Sequence, residues 1–400
     1  ILRSAPGDDS AVMIDALRQM GIGVEMPGSA DQASATGASV EDNPVTVRGT
    51  GGRFTAGPLR LSAGLAGTTS RFLTAVCVLG KGPYVIDGEP PLRARPMGPL
   101  QDALRQLGAQ VVAPEGAGSL PVEVTGGQLG GAVRIRGDVS SQYLTALMLI
   151  GPLLPRGLEV DITTSLVSRP YVELTASVMR SFGVVAVEVE DRRITVEPGR
   201  YQPTEYRVEP DASSASYPLA LAALVGGRVT IDGLGTQALQ GDAQFADLLG
   251  QMGCEVQWSA ESVSVSRSAA TPLTGLEVDM AHISDLVPTL AVVASVAASP
   301  SRITGVGFVR GKESDRLGDL AAEMRKLGVE VLVEPDGLSI LPSGIGLHGG
   351  LVQTHHDHRL AMAFGVLGAR LGGVSVQDPG VVTKSWPGFW EALESWTQVA

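Results

Sequence analysis

Six cations stand where the chain is punctuated by turns rather than scattered over a polar face. Arg71 follows "AGTTS", Arg95 lies in "RARPMG", Arg359 ends "HHDHR" and Lys384 follows "PGVVT", while "GKESDR" packs Lys312, Glu313, Asp315 and Arg316 into five residues. Taken singly, each is as readily a solvated or salt-bridged surface residue. Taken together, they suit a small substrate carrying a carboxylate and a phosphate, with arginine favoured for bidentate contacts. Asp285, in "HISDLVPTL", is a carboxylate at the mouth of an apolar run. It reads as a helix cap, and equally as a group whose pKa shifts when substrate closes over it. Glu313 beside Lys312 is either half of an ion pair or an acid/base group tuned by that pair. His355, His356 and His358 lack the i, i+4 spacing of a zinc protease, and no CxxC supports a metal. "GLAGTTS" has no GK[ST] ending, so it is not a P-loop.

The elements that must position these residues are periodic. Polar residues open apolar helices in "GTTSRFLTAVCVL", "VSSQYLTALMLI", "DASSASYPLALAAL", "ISDLVPTLAVVA" and "DHRLAMAFGVLGA", near Thr69, Ser141, Ser214, Ser284 and Asp357, about 72 residues apart. Apolar nearly all round, these helices should be buried. Ser140, Ser141 and Gln142 cap one of them. Free N–H groups and the dipole make such a helix start attractive to anions, and several opening together would form a convergent anion site. A second series of helices ends at Gly21, Gly108, Gly183, Gly253 and Gly328, each followed by β-branched residues, with "WEALESWTQV" as a degenerate sixth copy. Each glycine suits the left-handed position after a helix. Strand segments such as "AVRIRG", "GRVTIDG" and "GLSILP" flank the helices, so the unit is strand, buried helix, strand, surface helix, strand, strand. The period places one more buried helix ahead of Ile1, which predicts an absent natural N-terminus and an incomplete first unit. The six units should fall into two groups of three, residues 1–207 and 208–400.

Composition bounds the function. The chain has 400 residues, 44% hydrophobic, with 51 glycines and a net charge of −12. That balance argues against a nucleic acid or anionic membrane as the main partner, but permits a small anionic substrate. Cys77 and Cys254 are isolated, which fits reduced core thiols and a cytoplasmic location. The apolar stretch 286–299 is too short to span a membrane.

The segments "AGTTSRF", "RPMGPLQDALRQLGA", "VSSQYLTAL", "VSRPYVELT", "DASSASYPLA", "LQGDAQFADLLGQMG", "KESDRL" and "DHRLAMAF" cover nearly the whole chain in order. They resemble the 5-enolpyruvylshikimate-3-phosphate synthase branch of the enolpyruvyl transferase family. The resemblance implies a two-lobe inside-out α/β barrel, each lobe built from three βαβαββ repeats, with the active site in the cleft between the lobes. The implied reaction moves the enolpyruvyl group of phosphoenolpyruvate to the 5-hydroxyl of shikimate 3-phosphate by addition and elimination, with no metal or organic cofactor. Carried over by position, Gly67, Arg71, Arg95, Gln142, Arg316, Arg359 and Lys384 would surround phosphoenolpyruvate. Ser140, Ser141, Gln142, Ser168, Tyr171, Asp285 and Lys312 would hold shikimate 3-phosphate. Asp285, Glu313 and Lys312 would carry the acid/base chemistry, and a monomer is the expectation. The family's N-terminal Lys-Ser and Asn-Arg segment has no match here, and Leu65, Phe308 and His356 stand where the family usually has Asn. Two other readings stay open. One is the enolpyruvyl transferase that acts on UDP-N-acetylglucosamine, which uses a loop cysteine that the stretch before Arg95 lacks. The other is a non-catalytic anion-binding paralogue.

Overall fold

The structure is a computed structural model that describes residues 1–2, 7–26, 44–127, 129–342 and 344–398. The last residue of "WEALESWTQV", Val399, lies outside the described residues. The chain divides into two compact units, Ile1–Val208 and Glu209–Ala400.

In the first unit, the strands Leu59–Ser62 and Tyr84–Asp87 pair in parallel around the helix Gly67–Val76. The helix Gly98–Gln106 then leads to the hairpin Gln110–Val112 and Val122–Thr125, which closes a four-stranded sheet. Gly131–Ile135 and Leu158–Ile162 repeat the plan around Ser141–Ile150, with Arg169–Ser181 and another hairpin completing it. The second unit builds a third copy around Val287–Ala294, where Glu277–Asp279 and Ser301–Thr304 form the parallel pair. Each described copy is thus a βαβαββ motif. The crossover helix comes between parallel strands because a hairpin cannot join them.

The apolar crossover helices are buried as their composition requires. Leu144, Leu147 and Met148 in one, and Leu290, Val292 and Val293 in another, are at 0% exposure. Each unit therefore has its own core, built around these helices.

The surface helices all end alike. Gly21, Gly108, Gly183, Gly253 and Gly328 have φ of +85°, +99°, +87°, +102° and +83°, in the left-handed region. In each case the glycine N–H donates three residues back and the next N–H donates five residues back, as Leu104 O accepts from Ala109 N and Met324 O from Val329 N. These paired bonds satisfy carbonyls that the helix end would otherwise leave open. An arginine three residues before the glycine adds a second lock. Arg18, Arg105, Arg180 and Arg325 donate to the carbonyls of Val24, Val111, Val187 and Val331 in the following strand. Gly250 occupies that place in the remaining copy.

These helix ends differ in available space. A Cβ on Gly253 would meet nothing nearer than Pro272 O at 3.8 Å, whereas one on Gly328 would collide with Gly346 O. Gly253→Ala should cost about 1–2 kcal/mol, the strain of a left-handed alanine. Gly328→Ala carries the same strain plus a backbone collision, so its denaturation midpoint should fall clearly further. Equal midpoints for the two variants would contradict this reading of the repeat.

Candidate functional site

In the first unit, Gly67 opens one crossover helix and Gln142 stands in the first turn of the next. Arg71 is 3% exposed and donates from Nη1 to Gln142 Oε1 at 2.9 Å. Gln142 donates in turn to Thr68 Oγ1 at 3.0 Å. A Cβ on Gly67 would meet Arg71 Nη1 and, at 2.6 Å, Arg95 Nη1. Any side chain at this position would push both guanidinium groups out of place. Tyr143 lies beneath them: Arg71 sits 5.5 Å from its ring centroid, and its hydroxyl donates to Pro96 O, one residue from Arg95. Gly67, Arg71, Arg95 and Gln142 therefore form one cationic group.

Ser140 caps the helix Ser141–Ile150, its Oγ accepting from Gln142 N at 3.3 Å, and Ser141 is 6% exposed. The loops before this helix and the next are joined, since Val167 N donates to Gly137 O and Gly137 N donates to Thr164 Oγ1. Ser168 is thereby brought beside the serine pair, with φ +53°, an uncommon left-handed conformation for a non-glycine residue. Tyr171 lies in the first turn of Arg169–Ser181, its N–H donating to Ser168 O. Three helix starts thus converge within this unit.

In the second unit, Asp285 is in the short turn Ser284–Leu286 that leads into Val287–Ala294. Three cations take its carboxylate: Lys312 Nζ on Oδ1, Arg316 Nη1 on Oδ1 at 2.9 Å and Arg359 Nη2 on Oδ2 at 3.0 Å. Ser284 Oγ lies 3.1 Å from the same ammonium. Arg316 is 1% exposed and is braced from behind by Asp357, with Nε to Oδ2 at 2.7 Å and Nη2 to Oδ1 at 3.2 Å. Its Nη2 also donates to Glu313 Oε2 at 2.8 Å. Glu313 is thus held by Arg316, and Lys312 by Asp285. Asp357 in turn caps the helix His358–Leu371, accepting from Arg359 N at 2.9 Å, and accepts from Ser314 Oγ. Lys384 ends the turn Pro379–Lys384, and the next residue, Ser385, is hydrogen-bonded to His358 Nδ1. That bond ties the Lys384 segment to the start of the Arg359 helix.

The charges are tuned by this geometry. Burial would raise the Asp285 carboxyl, but Arg359, Lys312 and Arg316 overcome it and hold it well below the usual carboxylate range. Burial pulls the Lys312 ammonium down, with Asp285 pulling it partly back. Burial works against charge on Arg316, yet Asp357, Glu313 and Asp285 raise it further. Burial and the neighbouring Arg359 push His358 down to about 3, so its ring is neutral near pH 7.

His358, Asp357, Ser284 and Tyr143 were not among the residues expected from sequence. Asp357 was legible as a helix opening, but its partner Arg316 lies far off along the chain. The three histidines go to separate partners: His355 to Glu323, His356 toward Asp378, His358 to Ser385. Among the described residues, no cluster of three metal-ligating groups occurs. Cys77 is buried, which pushes its thiol up to about 12, and Cys254 is buried too. Leu65 is 39% exposed, next to the residue that caps the Gly67 helix. Phe308 faces Lys312 Nζ, 5.7 Å from its ring centroid. His356 has φ +59°, a conformation in which Asn and His are both tolerated.

Asp357→Asn should expose how much rests on the buried pair. It leaves the Arg316 guanidinium undercompensated, a loss of about 3–5 kcal/mol. Asp285 and Asp357 both have lowered folded-state pKa values, so their stabilisation is complete above the unfolded value near 3.9 and is lost as pH falls through the folded values. Denaturation midpoints should therefore drop as pH falls through and below 4, and drop less steeply in Asp357→Asn. The same acid slope in parent and variant would contradict the assignment.

Comparisons with known proteins show the family and the fold. The family model described as EPSP synthase (3-phosphoshikimate 1-carboxyvinyltransferase) matches residues 5–393. A 3-phosphoshikimate 1-carboxyvinyltransferase of Methanoculleus marisnigri is 43% identical over 87% of this chain and 82% of its own length. One from Methanospirillum hungatei is 38% identical over 98% of this chain and 89% of its own. An EPSP synthase structure from Acinetobacter baumannii superposes with a TM-score of 0.76 at 25% identity, over 98% of this chain and 94% of that one. The enolpyruvyl transferase NikO of Streptomyces tendae, at 18% identity and a TM-score of 0.71 over 98% of this chain and 88% of that one, shares the fold. The chain belongs to the EPSP synthase (3-phosphoshikimate 1-carboxyvinyltransferase) family and has the two-lobe α/β fold of the enolpyruvyl transferases.

Proposed function

We propose that this chain transfers the enolpyruvyl group of phosphoenolpyruvate to the 5-hydroxyl of shikimate 3-phosphate. The observation that carries the reading is the grip of Lys312, Arg316 and Arg359 on the single carboxylate of Asp285, with Glu313 on the same Arg316. Such a cluster is an anion site that is self-neutralised until a substrate competes for its cations.

In the addition step the O5–C2 bond forms while C3 takes a proton. In the elimination step the C2–O bond to phosphate breaks, phosphate leaves and C3 returns a proton. Arg316, Arg359 and Lys384, together with Gly67, Arg71, Arg95 and Gln142, hold the carboxylate and phosphate of phosphoenolpyruvate. Ser140, Ser141, Gln142, Ser168, Tyr171 and Lys312 hold shikimate 3-phosphate, whose 5-hydroxyl faces Asp285. A carboxylate gripped by three cations is a weak base. When substrate anions draw Arg359 and Arg316 away, the stabilisation of ionised Asp285 falls and its basicity rises toward the hydroxyl it must deprotonate. Glu313 serves C3, and Lys312, with its lowered pKa, shares the proton traffic. The reading that needs a cysteine finds Cys77 and Cys254 buried, Cys77 as a neutral thiol.

Glu313→Gln keeps the shape and removes the titrating group. Turnover with both substrates should fall by about two to four powers of ten, while both dissociation constants stay within several-fold of the parent. Parent-level turnover in this variant would reduce Glu313 to a partner of Arg316. A parent chain that releases no phosphate from the two substrates would overturn the functional reading itself.

A further inference from the structure

Tyr217 is a buried polar group that the chemistry above does not use. It lies in the helix Ala212–Val225 at 1% exposure, and its hydroxyl makes no hydrogen bond of ordinary geometry, although the Arg359 side chain already lies close to it. Buried Tyr84 and Tyr143 and half-buried Tyr201 show the usual solution, each phenol donating to a backbone carbonyl. An unsatisfied buried hydroxyl is costly, and a phenylalanine would fill the same space without the cost.

The surroundings give the oxygen a purpose. The Tyr217 helix packs on the helix His358–Leu371, which carries Arg359 in its first turn. The preceding residue, Ser216, lies 3.4 Å from Thr289 Oγ1 in the helix that Asp285 precedes. On its other side the ring meets Phe389 edge-on at 5.6 Å, and Phe389 meets Trp386, two residues after Lys384. The phenol is thus wedged behind the segments that carry Arg359, Asp285 and Lys384. Burial pushes its pKa up to about 12 against the opposing charges of Arg359 and Arg316, so it is a neutral phenol beside two guanidinium groups.

We propose that Tyr217 is a positioning residue for the anion site: its hydroxyl accepts a hydrogen bond from Arg359 when that guanidinium leaves Asp285 for a carboxylate or phosphate oxygen of the substrate. A guanidinium has donors and no acceptors, so an arginine that gives up a carboxylate must find a new acceptor for the N–H groups the anion does not take. A neutral oxygen fixes its orientation without neutralising it, which leaves the full charge for the substrate. A second carboxylate in that place would compete with the substrate.

The inference rests on reading Arg359 as a phosphoenolpyruvate ligand, and the experiment separates the two. Phosphoenolpyruvate affinity by calorimetry, KM for both substrates and thermal midpoints are measured for the parent, Tyr217→Phe, Arg359→Lys and the double variant, with Tyr201→Phe as control. Tyr217→Phe should weaken phosphoenolpyruvate about tenfold, leave the KM for shikimate 3-phosphate unchanged, and keep or raise the thermal midpoint. Added to Arg359→Lys it should cost little more, because its partner is already altered. Tyr201→Phe, which loses a satisfied bond to Leu149 O, should lower the midpoint and leave both KM values alone. Parent-level phosphoenolpyruvate affinity in Tyr217→Phe would overturn the positioning role. So would a fall in midpoint with both KM values moving together, or full additivity with Arg359→Lys. Parent-level affinity in Arg359→Lys would instead overturn the reading of Arg359.

Discussion

A guanidinium that is 1% exposed cannot stand without counter-charge, and Arg316 organises the second unit around that requirement. Asp357 supplies two of its bonds, Glu313 and Asp285 one each. These contacts draw together three stretches remote in sequence: the turn before Val287–Ala294, the "KESDR" loop and the start of His358–Leu371. Arg316 holds Glu313 in place and shares Asp285 with two other cations. Because Asp357 is fully buried and spends itself on Arg316, the acid/base role proposed above is left to Asp285 and Glu313. The same bonds that stabilise the fold near neutral pH therefore set the protonation states that the chemistry starts from.

The first unit meets the same need for positive charge with fewer ions. Arg71 and Arg95 converge on Gly67, where the absence of a side chain lets both guanidinium groups approach the backbone. Gln142 and the Tyr143 ring, both neutral, hold Arg71 there. Beside them, Ser140 caps one helix and Ser168 precedes another in a left-handed conformation. Helix starts and neutral side chains surround these cations, whereas the cations of the second unit close on the carboxylate of Asp285.

The repeat was legible because its signals are local. A glycine after a helix, followed by β-branched residues, marks the same left-handed turn at Gly21, Gly108, Gly183, Gly253 and Gly328. Apolar runs opened by Ser, Thr or Asp mark the buried helices. The arginines that lock each surface helix to its next strand went unread, although they recur three residues before the glycine, because a lone charge on a surface helix carries no directional signal. Within the site, the cations were visible as residues at turns, but their pairings were not. Adjacency suggested Lys312 with Glu313, whereas Lys312 reaches Asp285 and Glu313 reaches Arg316. Long-range ion pairs of this kind depend on how repeats stack. Neighbouring helix starts carry no mark in the sequence of which will meet. Tyr217 was hidden for a related reason: in "DASSASYPLA" it reads as one more core aromatic, and only its hydroxyl, buried near Arg359 without a well-formed hydrogen bond, distinguishes it.

The central claim is that the cations around Asp285 serve a reaction in which C3 of the enolpyruvyl group first gains a proton and then loses one. Turnover of phosphoenolpyruvate and shikimate 3-phosphate in deuterium oxide tests it most directly. If addition precedes elimination, C3 passes through a methyl group, and nuclear magnetic resonance should find solvent deuterium at the vinyl carbon of the product. It should also appear in recovered phosphoenolpyruvate, to the extent that the addition reverses. A product formed at the full rate with no deuterium at that carbon would contradict the account, because the acid/base role of this cluster would then have no proton to move.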